Sequence, residues 1–168
     1  GSGVMLVGFG NHGFGFRDKS VLPWKWHLWK ARGNLPIRYW DSIGIGERAK
    51  LRLGYKNCTA PLPTALELDE DIARLLGYYA AEGHTLIRDG ESYLLQFTLR
   101  RTKDKEIVRD IKGILRRKFR IIPKVMRHGE NGLRVSVSHR ILPFIFLSLV
   151  GQGARNKRVP EQILYSPL

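Results

Sequence analysis

An acidic residue ends a helix-forming segment that carries small residues on one face. Ala73, Gly77 and Ala81 recur every fourth residue, and Glu82 follows directly. Small side chains at this spacing let a second helix backbone approach closely. A partner helix would bring a second acid beside Glu82, which is costly unless cations lie between the two carboxylates. Hard divalent cations with carboxylate and phosphate-oxygen ligands would remove that cost and could act as a catalyst.

The charge of the chain favours a polyanionic partner. The 168 residues include 29 Lys and Arg against 15 Asp and Glu, which gives a net charge of +14. Such an excess attracts nucleic acid, and the alternative is a merely soluble, basic surface. A membrane is less favoured, because the longest apolar run, residues 141–150, is about half of what spans a bilayer. We see no secretory leader, so we expect a cytoplasmic or other intracellular location. One cysteine, Cys58, excludes an internal disulfide and a Cys-rich zinc site.

The periodicity after residue 68 predicts an α+β fold. Apolar residues at helical spacing predict a helix that starts at the acids 69–71 and runs to Gly83, a second at about residues 105–119 and a buried third at about 141–150. Strand-like runs at 84–88 and 93–100, and at 121–127 and 133–138, flank turn-forming residues. The order αββαββα implies an antiparallel sheet with helices on one face and the other face open.

Alternation along the strands predicts which side chains lie on the open face. Leu95, Phe97 and Leu99 should point to the helices, as should Val135 and Val137. Polar and basic residues should point away, where they suit base edges and phosphates in a major groove, although a solvated sheet surface is the competing interpretation. These outward residues are Gln96, Thr98, Arg100, Arg134, Ser136 and Ser138, with Arg88, Lys124 and Arg127 expected to join them.

The segment Leu75–Gly83 resembles the LAGLIDADG motif of homing endonucleases, in the form typical of intein-encoded and archaeal members. The lead-in 66–73, the tail 153–160 and the order of elements are also similar, so the resemblance covers roughly residues 62–165. It implies a saddle-shaped half-fold and a site-specific enzyme that cuts double-stranded DNA with Mg²⁺ and leaves 3′ overhangs. Mn²⁺ or Ca²⁺ can substitute for Mg²⁺ in binding. A relative that binds DNA without cutting it, or an RNA maturase, is the alternative.

The resemblance also assigns roles to individual residues. Glu82 aligns with the metal-binding acid, with the backbone carbonyls of Ala81 and Gly83 as further ligands. Lys157 aligns with a lysine that assists the attacking water or the developing phosphate charge. Ala73, Gly77 and Ala81 align with the helix-contact positions. The DNA-contacting set consists of His84, Arg88, Gln96, Thr98, Arg100, Lys124, Arg127, Arg134, Ser136, Ser138, Arg140 and Arg155. For His84 and His139 a structural or phosphate-contact role is favoured over catalysis.

The chain carries one such motif, and residues 160–168 end where a second motif helix is expected. We therefore expect either a homodimer that recognises a near-palindromic site or a half whose second LAGLIDADG half is missing from this chain. The intron or intein host is left open.

The two proline residues of Cys58–Thr64 suggest an extended linker between two domains. Residues 61–168 form the predicted endonuclease domain, and residues 1–60 are a basic segment rich in Trp and Gly. Gly8, Gly10 and Gly13 follow a strand-like run with the spacing of a dinucleotide-binding loop, but no βαβ unit follows, which disfavours that function. The four tryptophans of residues 24–40 either extend the DNA contact surface or form a small core.

Overall fold

The computed structural model describes residues 3–6, 34–36, 51–55, 57–88 and 92–159. The chain divides into two compact units, one formed mainly by residues 67–168 and the other by residues 4–66. The glycine pattern that follows the first strand and the four tryptophans lie outside the described residues. The turn-forming residues Asp89 and Gly90, between the first two strand-like runs, also lie outside them.

The larger unit has the predicted α+β architecture. Its elements are helix α1 (Glu70–Glu82), strands β6 (Gly83–Arg88) and β7 (Ser92–Arg100), helix α2 (Lys105–Phe119), strands β8 (Lys124–His128) and β9 (Gly132–Ser138), and helix α3 (Leu142–Val150). The four strands form an antiparallel sheet in the order β6-β7-β9-β8. The prediction of three helices and an antiparallel sheet is therefore confirmed.

Helix α1 begins at a side-chain cap and ends at the start of a strand. The Asp69 carboxylate accepts a hydrogen bond from the backbone N–H of Ile72 at 3.0 Å, which satisfies a donor of the first turn. Its apolar face is buried. Gly83 then turns the chain into β6, and a Cβ there would lie 2.6 Å from the Cα of Tyr79. Glycine is therefore required sterically where the helix meets the sheet.

Ion pairs join α1 to α2 at the edge of the core. Arg74 bonds the Asp110 carboxylate at 3.0 Å, and the Tyr78 hydroxyl donates to the same carboxylate at 2.9 Å. Arg117 pairs with Asp71 at 2.9 Å, and Lys118 pairs with Asp69. The first turn of α1 thus neutralises two cations in the last turn of α2.

The core lies between the sheet and the helices. Helix α1 packs against α2, α3 and β7, and α3 packs against β6 and β7. The strand residues predicted to face the helices are buried, namely Leu95, Phe97, Leu99, Val135 and Val137. At the centre, the Tyr79 ring meets Phe146 edge-on, with ring centroids 5.1 Å apart.

One predicted strand begins later than the sequence pattern indicated. The run 121–127 was expected to be extended throughout, but β8 spans Lys124–His128. Ile121 is buried below the end of α2, while Pro123 carries no N–H for a ladder. The strand therefore starts after the proline.

Short strands make up the described amino-terminal residues. They are β1 (Gly3–Leu6), β2 (Asn34–Pro36), β3 (Arg52–Gly54), β4 (Leu62–Pro63) and β5 (Ala65–Leu68). Strand β1 pairs with β5, and β2, β3 and β4 form a three-stranded sheet. The segment predicted as a linker thus contains β4 and leads directly into β5, and Leu62 is fully buried. None of the helices in the described residues has the length and apolar character needed to cross a membrane.

Candidate functional site

The ammonium group of Lys157 lies at the carboxyl end of α1. It donates hydrogen bonds to three backbone carbonyl oxygens, those of Tyr79 at 2.8 Å, Ala80 at 3.1 Å and Gly83 at 2.5 Å. It also lies 5.1 Å from the centroid of the Tyr79 ring. These carbonyls carry the negative end of the helix dipole, which a cation stabilises. Because an ammonium group has three N–H donors, all of them are engaged here.

A tightly bonded loop holds Lys157 in this position. The Tyr79 hydroxyl donates to the carbonyl of Gly151 at 3.1 Å, and Thr85 and Gln152 exchange two hydrogen bonds of 2.8 and 3.0 Å. The backbone N–H of Arg158 donates a hydrogen bond to the carbonyl oxygen of Val150 at 2.8 Å. Residues 151–158 are therefore fastened to both α1 and β6, and they bring a lysine that is 75 positions away in sequence next to Glu82.

Glu82 presents an unengaged carboxylate beside this lysine. The residue is exposed, and no described residue forms a hydrogen bond or ion pair with its side chain. Burial lowers the pKa of the Lys157 ammonium, and the nearby Glu82 carboxylate opposes that shift. An exposed carboxylate free of partners is a suitable ligand for a hard divalent cation.

The remaining predicted metal ligands differ in their availability. The Gly83 carbonyl already accepts the shortest of the Lys157 hydrogen bonds, so a metal ion at that oxygen would have to use its second lone pair, beside the positive charge of the ammonium group. Ala81 is exposed on the last turn of α1. Across residues 51–55, 57–88 and 92–159, no group of three or more His, Cys, Asp and Glu side chains is placed to hold a metal ion.

The small-residue face of α1 is open to solvent in the single chain. Gly77 and Ala81 are exposed and Ala73 is partly exposed. A Cβ added at Gly77 would meet no atom within 4 Å. The face on which the sequence placed a partner helix is therefore accessible, and no second acid from the described residues lies against Glu82.

The open face of the sheet begins immediately after this helix end. We define it as the side of the sheet that carries the even-numbered residues of β6 to β9. Two cross-strand rows run through its middle, His84–Gln96–Ser136–Lys124 and Thr98–Arg134–Met126. Its centre is bonded internally: His84 Nε2 lies 3.0 Å from Gln96 Oε1, and Gln96 Nε2 donates to Ser136 Oγ at 3.1 Å.

Two residues of the open face are less accessible than the alternation predicted. Gln96 is 6% exposed and Ser136 is 7% exposed. Both lie on the two central strands, where side chains from the neighbouring strands cover them. They therefore hold their neighbours in place, and the accessible groups of the predicted set are found at the rim, at Arg88, Arg100, Lys124 and Ser138.

Histidine and arginine share a cationic patch on the open face. Arg134 Nη2 lies 3.1 Å from His128 Nε2, while Arg134 Nε is buried without a hydrogen-bond partner in the described part of the chain. Burial lowers the pKa of His84, the hydrogen bond with Gln96 raises it, and the positive charges of Arg134, Lys157 and His128 lower it further. A phosphate group near this patch would counteract the effect of these positive charges on the pKa of His84.

The structure corrects the predicted position of Arg127. It pairs in register with Leu133, which pairs with the buried Leu99, so Arg127 lies on the helix side of the sheet and not on the open face. The spacing itself explains this result, because residues three apart on a strand point to opposite faces. Lys124 has the outward position.

Three further residues singled out in the sequence lie beyond the strands, namely Arg140 and Arg155 of the DNA-contacting set and His139. The Arg140 guanidinium lies 5.8 Å from the centroid of Tyr93, whose ring packs near Phe144. Arg155 is exposed in the loop that carries Lys157. His139 is 3% exposed, and its Nδ1 accepts hydrogen bonds from the backbone N–H groups of Ile141 and Leu142, both at 3.1 Å. His139 therefore caps the start of α3, which is a structural role, one of the two that the sequence favoured over catalysis.

Sequence reasoning missed His128 and Gln152. Residue 128 shares the alternation of Lys124 and Met126, so the pattern of β8 could have placed it on the open face. The exchange of hydrogen bonds between Gln152 and Thr85 joins residues 67 apart, and no local pattern signals it.

No family model matches the chain, but parts of several known proteins are similar to it. The uncharacterized protein MJ0043 of Methanocaldococcus jannaschii is 30% identical over 115 residues, which are 66% of this chain and 14% of that protein. The DNA polymerase of Thermococcus kodakarensis is 31% identical over 134 residues, which are 76% of this chain and 7% of the polymerase. That of Thermococcus sp. (strain GE8) is 34% identical over 106 residues, 61% of this chain and 6% of the polymerase. The chain thus spans about a seventh or less of these relatives.

Proposed function

We propose that this chain is a metal-dependent endonuclease for double-stranded DNA of the LAGLIDADG type, which works as two copies paired through α1. One observation carries the proposal. The exposed Glu82 carboxylate lies at the junction between an accessible small-residue helix face and a polar, cationic sheet face. A junction of this kind would bring acids from two copies to DNA held on the sheets.

In this proposal some residues bind the DNA and others hold the metal ion or position its ligands. The rim cations of the open face would contact phosphates, and Arg134 and His84 would supply donors within the groove. Glu82 of each copy would hold Mg²⁺, which, when bound, polarises the phosphate and makes a bound water more acidic. Lys157 would hold the end of α1 and its carbonyls in a fixed position, so that the two carboxylates meet in one geometry.

The relatives support an origin as an insert. The matching regions are 6–7% of two Thermococcus proteins that are named DNA polymerase. A segment of this size within a much longer protein is what an intein-encoded endonuclease would give.

Cleavage of a plasmid library tests the function. A supercoiled library with a randomised insert, together with the native insertion locus, is incubated with the protein in Mg²⁺ or in EDTA, and the broken ends are sequenced. We expect linearisation at one sequence with 3′ overhangs, only in Mg²⁺. Glu82→Gln should abolish breakage and retain DNA binding. Glu130→Gln is the matched control, because Glu130 is also exposed and lies in the β8–β9 turn.

Two outcomes would overturn the proposal. Tight binding of the plasmid without strand breaks at any metal concentration would identify a protein that binds DNA or RNA without cutting it. Metal-dependent breaks that persist in Glu82→Gln would show that the carboxylate at the end of α1 is not the metal ligand.

A further inference from the structure

Helix α2 carries a row of basic residues on its solvent side. Lys105, Arg109, Lys112 and Arg116 follow one another at intervals of four, three and four residues, and all four are exposed. At 100° per residue they lie within an arc of about 60°, and they span about 16 Å along the helix. We call these four residues the basic stripe.

The charges of the stripe are largely unneutralised. Arg109 pairs with Glu106 at 2.9 Å, whereas Lys105, Lys112 and Arg116 form no ion pair within the described residues. The adjacent Arg117 and Lys118, which face α1, are both paired with aspartates. Like charges three and four residues apart destabilise a helix, so the stripe has a standing cost that a bound polyanion would remove.

The position of the stripe separates it from the open face. Ile111, Ile114 and Leu115 turn the opposite side of α2 into the core. The helices cover one face of the sheet, so the stripe is directed away from the helix-free face. A straight duplex that lies on the open face therefore cannot reach it.

We propose that the basic stripe binds the phosphate backbone of a second segment of duplex DNA, an inference that rests on the proposed function for the first segment. Duplex DNA carries one phosphate per about 3.4 Å of axis on each strand, so a length equal to that of the stripe holds about five phosphates on one strand. The large apolar residues of α2 are buried or, at Ile107 and Val108, half-buried, so the helix exposes no apolar anchor for a lipid surface. The contact is sequence-independent, because lysine and arginine side chains reach phosphates without reading bases.

Neighbouring arginines of α2 provide a matched test. The affinity for a duplex of arbitrary sequence is measured against salt concentration for Arg116→Gln and Arg117→Gln, which remove the same charge from adjacent positions. We expect Arg116→Gln to reduce the slope of log affinity against log salt by about 0.9, the value for one phosphate contact. Arg117→Gln should leave the slope unchanged, because Asp71 already engages that guanidinium. Equal slopes for the two variants would overturn the proposal.

Bridging between duplexes tests the second segment. Bead-tethered duplex is used to capture free duplex through the Glu82→Gln protein, with and without Lys112→Gln and Arg116→Gln together. We expect capture to be lost in the stripe variant, while binding to one duplex is retained. If the stripe variant lost all DNA binding while Arg134→Gln bound DNA as well as the unsubstituted protein, the open face would not be the DNA surface. Preferential retention of RNA or of anionic phospholipid vesicles by the stripe would overturn the assignment to duplex DNA.

Discussion

Lys157 should contribute to folding stability as well as to any chemistry. Lys157→Met keeps the length of the side chain and removes its charge and its three donors. The carbonyls of Tyr79, Ala80 and Gly83 then lose the partner that now lies 2.5–3.1 Å away. A hydrogen bond to a charged group contributes about 1.5–3 kcal/mol.

The sum of three such bonds overstates the loss. Ala80 and Lys157 are only partly buried, so water can replace the ammonium group at some of the carbonyls. We therefore expect Lys157→Met to lower the free energy of unfolding by about 2–3 kcal/mol. Lys157→Arg should recover only part of this, because a planar guanidinium cannot direct three donors to oxygens around one point.

Urea denaturation at pH 7 measures the effect, with an unchanged m value as the sign that the unfolded state is not altered. Arg155→Met is the matched control, since Arg155 is exposed in the same loop. Its free energy of unfolding should lie within about 0.5 kcal/mol of that of the wild type. If Lys157→Met were as stable as this control, the capping role would be refuted, and a part in the proposed reaction would be the remaining role of Lys157.

The other predictions concern two glycines and two histidines. Gly83→Ala should destabilise the protein by about 1–3 kcal/mol because its Cβ would overlap the backbone of Tyr79. Gly77→Ala should instead stabilise the isolated chain by up to about 1 kcal/mol. Thermal denaturation compares the two variants, and a change of stability in the same direction for both would contradict the packing described at these glycines. His139→Ala should cost about 1–2 kcal/mol by uncapping α3, and His139→Asn should restore part of it in urea denaturation; no recovery would argue against the cap. His84 has a pKa lowered mainly by burial from its ordinary 6.5. The unfolded chain therefore binds the proton more readily, and stability should fall as pH drops below about 6.5. His84→Gln should weaken that fall, and an unaltered pH profile would exclude His84 as its source.

The architecture was predictable because each element carries its own periodic signal. Helix α2 was predicted at about residues 105–119 and is found at Lys105–Phe119, since its apolar residues recur at helical spacing between polar ends. The inward residues of β7 and β9 followed from strict alternation. The same alternation, applied to β8, would have placed Arg127 on the helix side and His128 on the open face.

The parts of the site that escaped prediction depend on contacts far apart in sequence. The burial of Gln96 and Ser136 results from their place on the central strands, which the order of the sheet decides. The hydrogen bonds of Lys157 depend on the path of the loop 151–158. This path requires a positive backbone angle at Gly151, whose φ is 89°. The resemblance to a family could indicate that Lys157 lies near Glu82, but only the structure shows that its donors are used on backbone carbonyls.

Oxidative cross-linking through position 77 tests the pairing of two α1 helices most directly. In a Cys58→Ser background, Gly77→Cys is oxidised in the presence of DNA, with Thr102→Cys as the exposed control. A disulfide forms only when the two Cα atoms approach within about 7 Å. We expect rapid, nearly complete conversion of Gly77→Cys to a covalent dimer. Cross-linking no faster than that of Thr102→Cys would contradict a two-copy site built on this helix face.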